Sequence, residues 1–326
     1  MDKLANVTDP NAASSLALFS LFKRAREFKA NADASNTTRA YSVGWRRFCQ
    51  WCETQSPCLE PMPAKPELVA LYLTAQAERC KVATLRSHLS AINRAHRDAG
   101  HEAPGRSIIV QQVLKGIRRT KGVAPRQAQP ITSKELRAIL ATLRETKLGL
   151  RDRALSLLGF HGAVRRSELV ALEVGDVEET KEGLRIIVRR SKTDQEAVGL
   201  EKGVLFQADP SVCAVRALRA WKEASGVEVG PLFRAVTRHG QVSAARLTDR
   251  AVYLVVERAC NAAGLDSAKF SAHSLRSGLA TQSAIDGCPE RAIMRQGGWR
   301  GVQTVRGYIR HGTLFQENVG TYLRLA

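Results

Sequence analysis

Phe270-Ser271-Ala272-His273-Ser274-Leu275-Arg276, then Gly297-Gly298-Trp299, then Arg306-Gly307-Tyr308-Ile309-Arg310, is the stretch of this 326-residue chain that decides its reading. A histidine and an arginine three positions apart on a helix share one face, so both reach the same small group. The pairing suits a phosphate. Guanidinium supplies a fixed two-pronged donor, while imidazole and indole N–H groups add single ones. The pattern also places His273 at a helix start, where the N-terminus adds positive potential toward an anion. Trp299 reads either as core or as an N–H donor, with the two glycines permitting close approach of the chain. Tyr308 is flanked by Arg306 and Arg310. Positive charge stabilises a phenolate, whose ordinary pKa is about 10. Tyr41, Tyr72, Tyr253 and Tyr322 fall in apolar surroundings and read as packing residues. The implied chemistry is phosphoryl transfer through Tyr308, with the bond energy held in a covalent intermediate, so neither ATP nor a metal is required.

Two pieces lie upstream. Gly162-Ala163-Val164-Arg165-Arg166-Ser167-Glu168 puts a glutamate one helical turn after an arginine. This is either a surface ion pair worth roughly a few tenths of a kcal/mol, or a phosphate-gripping Arg165 oriented by Glu168. Arg166 competes for the role but points to another side. Lys192, in the turn Arg189-Arg190-Ser191-Lys192-Thr193-Asp194, is either solvated or delivers a proton to a leaving oxygen. Arg165 and Arg276 nearby would lower its pKa for that task.

Fifty Lys and Arg against 31 Asp and Glu give a formal net charge of +19, with 44% apolar residues. Such an excess, interleaved with amphipathic segments, points to a polyanion, of which nucleic acid is the commonest. No apolar run is long enough to span a membrane, and no Gly-x-x-x-x-Gly-Lys-Ser/Thr loop is present for nucleotide-driven work. An odd count of seven cysteines and the lack of an apolar leader fit a reducing, intracellular setting. Cys49-x-x-Cys52, with Cys58 nearby, could suggest zinc. It lies in a helical pattern with Trp45, Phe48 and Trp51, which favours core cysteines.

Residues 1–30 read as a weakly determined tail running into a short helix. Residues 31–121 form a helical module. Its first helix carries Tyr41, Trp45, Phe48, Cys49 and Cys52 at helical spacing, with Arg39, Arg46 and Arg47 on other faces. Pro66 opens a second helix through Leu68, Leu71 and Tyr72. A third carries Leu85, Leu89 and Ile92 with Arg86, Arg94 and Arg97. A fourth, through Val110, Leu114 and Ile117, bears Lys115, Arg118, Arg119 and Lys121. Several basic faces in succession favour contacts to a DNA backbone, which need charge but no sequence code. Residues 122–130, with two prolines and no periodicity, read as a linker. Thr132 and Glu135 then form a capping-box signature that opens a second domain, 131–313. Helices are expected over 136–143, 150–160, 210–224 and 248–263, and strands over 184–189 and 203–206. The expected class is α+β, mainly α with a small β-sheet.

Taken in order, Arg165 with Ser167-Glu168, Lys192, His273-x-x-Arg276, Gly-Gly-Trp299 and Tyr308 resemble the tyrosine site-specific recombinases of the phage integrase family. Tryptophan at position 299 and the run Tyr308-Ile309-Arg310-His311 are similar to the Cre-type pattern. The resemblance covers the chain from about Thr37 and implies a helical core-binding domain followed by a tyrosine-recombinase catalytic domain, together clamping double-stranded DNA. By that resemblance Arg165, His273, Arg276 and Trp299 bind and activate the scissile phosphate. Glu168 supports them, Lys192 is the general acid for the 5′ oxygen, and Tyr308 forms a 3′-phosphotyrosyl bond. A homotetramer would join two inverted-repeat sites and pass through a Holliday junction. Residues 314–326, with Val319, Tyr322, Leu323 and Leu325, resemble a segment that docks on a neighbouring protomer. No cofactor is implied, and a bacterial, phage or plasmid source is expected. Two alternatives stay open: a type IB topoisomerase-like or telomere-resolving enzyme, and a DNA-binding protein that does not cut.

Overall fold

The computed structural model describes residues 10–31, 35–122, 128–189, 199–314, 319–321 and 323. The chain divides into two units, Met1–Pro125 and Arg126–Ala326.

The first unit is helical: α1 Pro10–Asn31, α2 Ser35–Glu53, α3 Pro66–Ala77, α4 Val82–Asp98 and α5 Ile108–Lys121. Pro66 opens α3, as its fixed φ and missing N–H predict. Phe48, Cys52, Tyr72, Leu73, Leu85, Ile92 and Val110 build the core, in which the Tyr72 hydroxyl meets His88 Nδ1 at 3.0 Å. Cys52 is fully buried there and Cys49 half-buried beside it, on the packed side of α2. Two expectations change. The short N-terminal helix is a 22-residue one, whose weak amphipathicity hid it from a periodicity reading. Leu71, placed on the apolar stripe of α3, is 61% exposed, and Leu73 takes the core position instead.

The second unit holds α6 Ser133–Ala141, α7 Lys147–His161, α8 Arg166–Ala171, β1 Val177–Glu179, β2 Gly183–Val188, β3 Leu200–Leu205, α9 Ala214–Ser225, β4 Arg234–Val236, β5 Val242–Arg246, α10 Asp249–Ala262, α11 His273–Ile285, α12 Glu290–Gly297 and α13 Val302–Thr313. The capping box holds: the Thr132 N–H donates to the Glu135 carboxylate at 3.0 Å. β1, β2 and β3 form one antiparallel sheet, with Ile186 opposite Lys202. β4 and β5 form a separate two-stranded ladder. The expected class stands, but β1, β4 and β5 went unforeseen, because strands of three to five residues without alternating β-branched side chains leave no period-2 signal. The expected helix at 210–224 is a 3₁₀ turn, Pro210–Val212, followed by α9.

The core is centred on α7, with Leu155, Leu157 and Leu158 fully buried, and on Trp221, whose indole N–H donates to Leu232 O at 2.9 Å. The chain entering this unit runs along α11. Gln129 N–H donates to Lys269 O at 2.7 Å, Ile131 N–H to Ser274 O at 3.0 Å, and Ser133 N–H to Gln282 Oε1 at 3.0 Å. Gly278 makes this possible, since a Cβ there would lie 1.9 Å from Ile131 O. Thus the entering chain fixes one side of α11, with His273 at the exposed N-terminal end of that helix. Among the described residues no helix is long and apolar enough to cross a membrane.

Candidate active site

Arg276 sits on the inward face of α11 at 1% exposure. Its Nη1 donates to Ala163 O, in the turn between α7 and α8, while its buried Nη2 has no hydrogen-bond partner among the described residues. Burial, and then the Arg165 guanidinium, pull its pKa down to about 10, so it remains charged at neutral pH. A buried cationic donor with no acceptor is costly, and such a group marks where an acceptor is to be supplied from outside.

Arg165 is the residue immediately before α8. Its backbone N–H donates to Glu168 Oε2 at 2.8 Å and its Nη1 to Glu168 Oε1 at 2.5 Å. Glu168 is buried, so this is no solvated surface pair: the carboxylate fixes both the backbone and the side chain of Arg165. Arg166 turns elsewhere, 3.4 Å from Asp249, and drops out of the site. Ala163, just upstream, has φ +45°, a left-handed conformation that non-glycine residues seldom adopt.

Tyr308 lies in the middle of α13, buried among Ala280, Ala284, Ile293 and Val305. Its Oη meets His273 Nε2 at 3.0 Å, so α11 and α13 bring the two together across 35 residues of sequence. The expectation about its charge environment is corrected. Burial raises the phenol pKa, and the opposing cations are Arg276 and Arg165 rather than the sequence neighbours Arg306 and Arg310. Arg306 instead pairs with Glu290 at 3.1 Å. His273 is shifted down, by desolvation first and then by Arg276 and Arg165.

Trp299 packs, partly buried, against the cluster of Ala280, Ala284, Ile293, Val305 and Tyr308. The Arg276 guanidinium stands 4.3 Å from the Trp299 ring centroid, a cation–π contact, and the Tyr308 ring lies 5.7 Å away. The close approach allowed by the glycine pair is that of the tryptophan's own ring, because a Cβ on Gly297 would lie 1.8 Å from Trp299 Cζ3. Gly298 ends α12 with φ +64°.

Lys192 lies outside the described residues. A different lysine, missed by sequence reasoning, is built into the same region: Lys202 on β3, 3% exposed. Its Nζ donates to Gly162 O at 2.8 Å, Ala163 O at 3.3 Å and Gln296 O at 2.8 Å. The available signal was strand alternation, which puts Lys202 on the same inward face as Val204.

Arg165, just before α8, His273 and Arg276 on α11, and Tyr308 on α13 therefore form one cluster of cationic and phenolic groups. The phage integrase family matches residues 129–313. An integrase/recombinase xerD homolog of Selenomonas ruminantium is 36% identical over 303 residues, covering 92% of this chain and 88% of its own.

The chain belongs to the phage integrase family.

It is a tyrosine recombinase, an enzyme that cleaves and rejoins DNA. The recombinase cre of Escherichia phage P1 is 28% identical over 300 residues, covering 86% of this chain and 84% of its own. In fold, the chain is similar to the XerH site-specific recombinase bound to a palindromic difH substrate (TM-score 0.63, 19% identity, 87% of this chain and 78% of that one). It is also similar to a lambda integrase dimer bound to a COC′ core site (TM-score 0.59, 17% identity, 94% and 82%).

In the helical unit of this recombinase, Arg39, Arg46 and Arg47 are exposed on α2, as are Arg86 and Arg97 on α4. Helical spacing puts Arg86 and Arg97 on one face of α4 together with Arg94, which pairs with Asp98 at 2.8 Å. Lys115 and Arg118 line an open groove along α5 with Arg106, Gln111 and Gln112, and Arg119 is exposed beside them. Lys121 is different. Its Nζ donates to Ala77 O and, at 3.2 Å, to Cys80 O, so it caps the C-terminal end of α3.

Proposed function

We propose that this recombinase cuts one DNA strand at a time through a 3′-phosphotyrosyl bond at Tyr308, using neither metal nor nucleotide. The observation that carries the reading is the buried Nη2 of Arg276, without a partner among the described residues, in a cluster with Arg165, His273 and the Tyr308 hydroxyl. A phosphodiester oxygen is the acceptor that completes that guanidinium.

In this reading Tyr308 Oη attacks the phosphorus and its proton passes to His273 Nε2. The P–O5′ bond breaks, and the departing 5′ oxygen takes a proton from Lys192. Arg165 and Arg276 stabilise the charge that grows on the non-bridging oxygens, where fixed donors do most for the rate. Glu168 holds Arg165 in place, and the Trp299 ring supports Arg276 through the cation–π contact. Reversal, with a new 5′ hydroxyl attacking phosphorus and the phenolate leaving, reseals the strand without an outside energy source.

Residues 31–121 serve in this proposal as the core-binding domain, gripping phosphates through Arg39, Arg46, Arg47, Arg86, Arg97, Lys115, Arg118 and Arg119. Residues 131–313 are the catalytic domain, joined by the linker 122–130. A homotetramer on two inverted-repeat sites exchanges strands in pairs through a Holliday junction. The 314–326 segment docks on a neighbouring protomer, a role its exposed Val319 and Leu323 would suit. The test uses a duplex selected by the full-length protein from a randomised pool and nicked near the cut, so that cleaved product escapes. Wild type should form an adduct that survives denaturing electrophoresis, while Tyr308→Phe should bind the duplex and form none. Binding without any wild-type adduct would leave a DNA-binding protein that does not cut. Steady relaxation of supercoiled plasmid lacking the site would favour a topoisomerase-like activity instead.

A further inference from the structure

We infer that Lys202 is a positioning residue of the cleavage site: its ammonium clamps the Gly162-Ala163 turn that leads into Arg165 to the end of the helix that leads into Trp299. The inference rests on the phosphotyrosyl reading above and adds a residue to it.

Three facts carry it. First, an ammonium has three N–H donors, and Lys202 directs them at three backbone carbonyls from two separate segments: Gly162 and Ala163 on one side, Gln296 on the other. Gln296 lies in the last turn of α12, whose C-terminal carbonyls carry the negative end of the helix dipole. Second, Ala163 O is shared, because Arg276 Nη1 donates to it as well. One carbonyl, on a residue with φ +45°, thus sets the positions of Lys202 and Arg276 together. A backbone conformation of that kind persists only when its surroundings over-determine it. Third, the Gln296 side chain makes a parallel tie, with Nε2 donating to His161 O at 2.7 Å and Gly203 O at 2.9 Å. β3, the Arg165 turn and the approach to Trp299 are therefore stitched by Lys202 and Gln296 side by side.

The charge on Lys202 matters to this clamp. The charged groups facing it are Arg276, Glu168 and Arg165; burial, followed by Arg276, draws its pKa down to about 7, with Glu168 opposing. A neutral amine has two N–H groups and would release one of the three carbonyls. With all three donors spent on backbone, Lys202 has none to offer a departing 5′ oxygen. That separates it from a proton donor and defines the experiment.

Single-turnover cleavage is measured for wild type, Lys202→Met, Lys202→Arg and Gln296→Ala, on the selected duplex and on the same duplex with sulfur replacing the 5′ bridging oxygen. A thiolate leaves without a proton, so the sulfur substrate rescues loss of a general acid but not loss of geometry. Lys202→Met should bind DNA as wild type does and cleave both duplexes at least 100-fold more slowly, and Lys202→Arg, which stays charged, should recover most of that rate. Gln296→Ala should slow both duplexes alike, about tenfold. Wild-type cleavage by Lys202→Met overturns the inference, and so does its rescue by sulfur, which would make Lys202 the proton donor. If Lys202→Met shows no cooperative melt, Gln296→Ala decides: wild-type rates in that variant overturn the clamp. An adduct in wild type together with unimpaired variants sinks the clamp alone, whereas no adduct in wild type sinks the phosphotyrosyl reading and the clamp with it.

Discussion

His273 Nε2 lies 3.0 Å from Tyr308 Oη, joining the first residue of α11 to the middle of α13. With the proton on Nδ1, Nε2 accepts from the phenol, the arrangement a general base needs. The His273 pKa is lowered, by desolvation first and by the two arginines next. It is therefore neutral at pH 7 and protonates only below its ordinary value of 6.5. Once protonated, Nε2 can no longer take the tyrosine proton. Single-turnover cleavage should therefore fall once the pH drops below about 6.5, on the acid side of the range in which Lys202 gains its charge. An acid limb centred above pH 6.5, or one that persists unchanged in His273→Gln, would remove His273 from this role.

Arg276 and Arg165 are each asked to bind charge that grows as the phosphorane forms. Replacing either by alanine should slow cleavage by about 10²–10³-fold, the usual cost of one such donor. Arg276→Lys should recover little. A lysine ammonium is a point charge rather than a planar fork, so it cannot keep the bond to Ala163 O and the place over the Trp299 ring while presenting a two-pronged grip to phosphate. Cleavage near the wild-type rate in Arg276→Lys would count against the assigned geometry.

Two glycines near the pocket should respond in opposite directions. Alanine at Gly297 places a methyl within the Trp299 ring, so the ring must leave its place over Arg276, at a cost of about 1–3 kcal/mol in stability. At Gly307, beside Tyr308 on α13, a Cβ meets nothing within 4 Å. Alanine there should stabilise by about 0.5–1 kcal/mol through helix propensity alone. Denaturant melts of the two variants check both signs.

The basic residues of the helical unit also divide. Arg118, exposed along the α5 groove, should contribute one phosphate contact, so Arg118→Ala lowers the log–log salt slope of DNA binding by about one. Lys121 spends its donors on the end of α3, so Lys121→Ala should leave that slope unchanged and lower the melting temperature. Equal slope changes in the two variants would contradict this division.

The residues that sequence reading found are those whose spacing is local or whose order is distinctive. His273 and Arg276 share a helix turn, Gly297-Gly298-Trp299 is contiguous, and Thr132 with Glu135 announces a helix start. What it missed depends on contacts made in three dimensions. The field at Tyr308 comes from Arg276 and Arg165, distant in sequence, while the adjacent Arg306 is occupied by Glu290. The sequence allows Trp299 a place in the core or a donor's role, but nothing local shows the guanidinium from another helix that stands over its ring. Lys202 lies just outside the expected strand 203–206, and nothing local reveals that three carbonyls from Gly162, Ala163 and Gln296 surround its end. Short strands such as β4 and β5 leave no period to detect.

The most direct measurement is the identity of the protein–DNA bond. The denatured adduct formed on the nicked duplex is digested with protease and nuclease, and the surviving nucleotide-linked peptide is sequenced by mass spectrometry. The account predicts one peptide, spanning Arg306 to Arg310, with a 3′-nucleotide phosphate on the Tyr308 oxygen. A nucleotide on any other residue, or an adduct of equal yield from Tyr308→Phe, would contradict it.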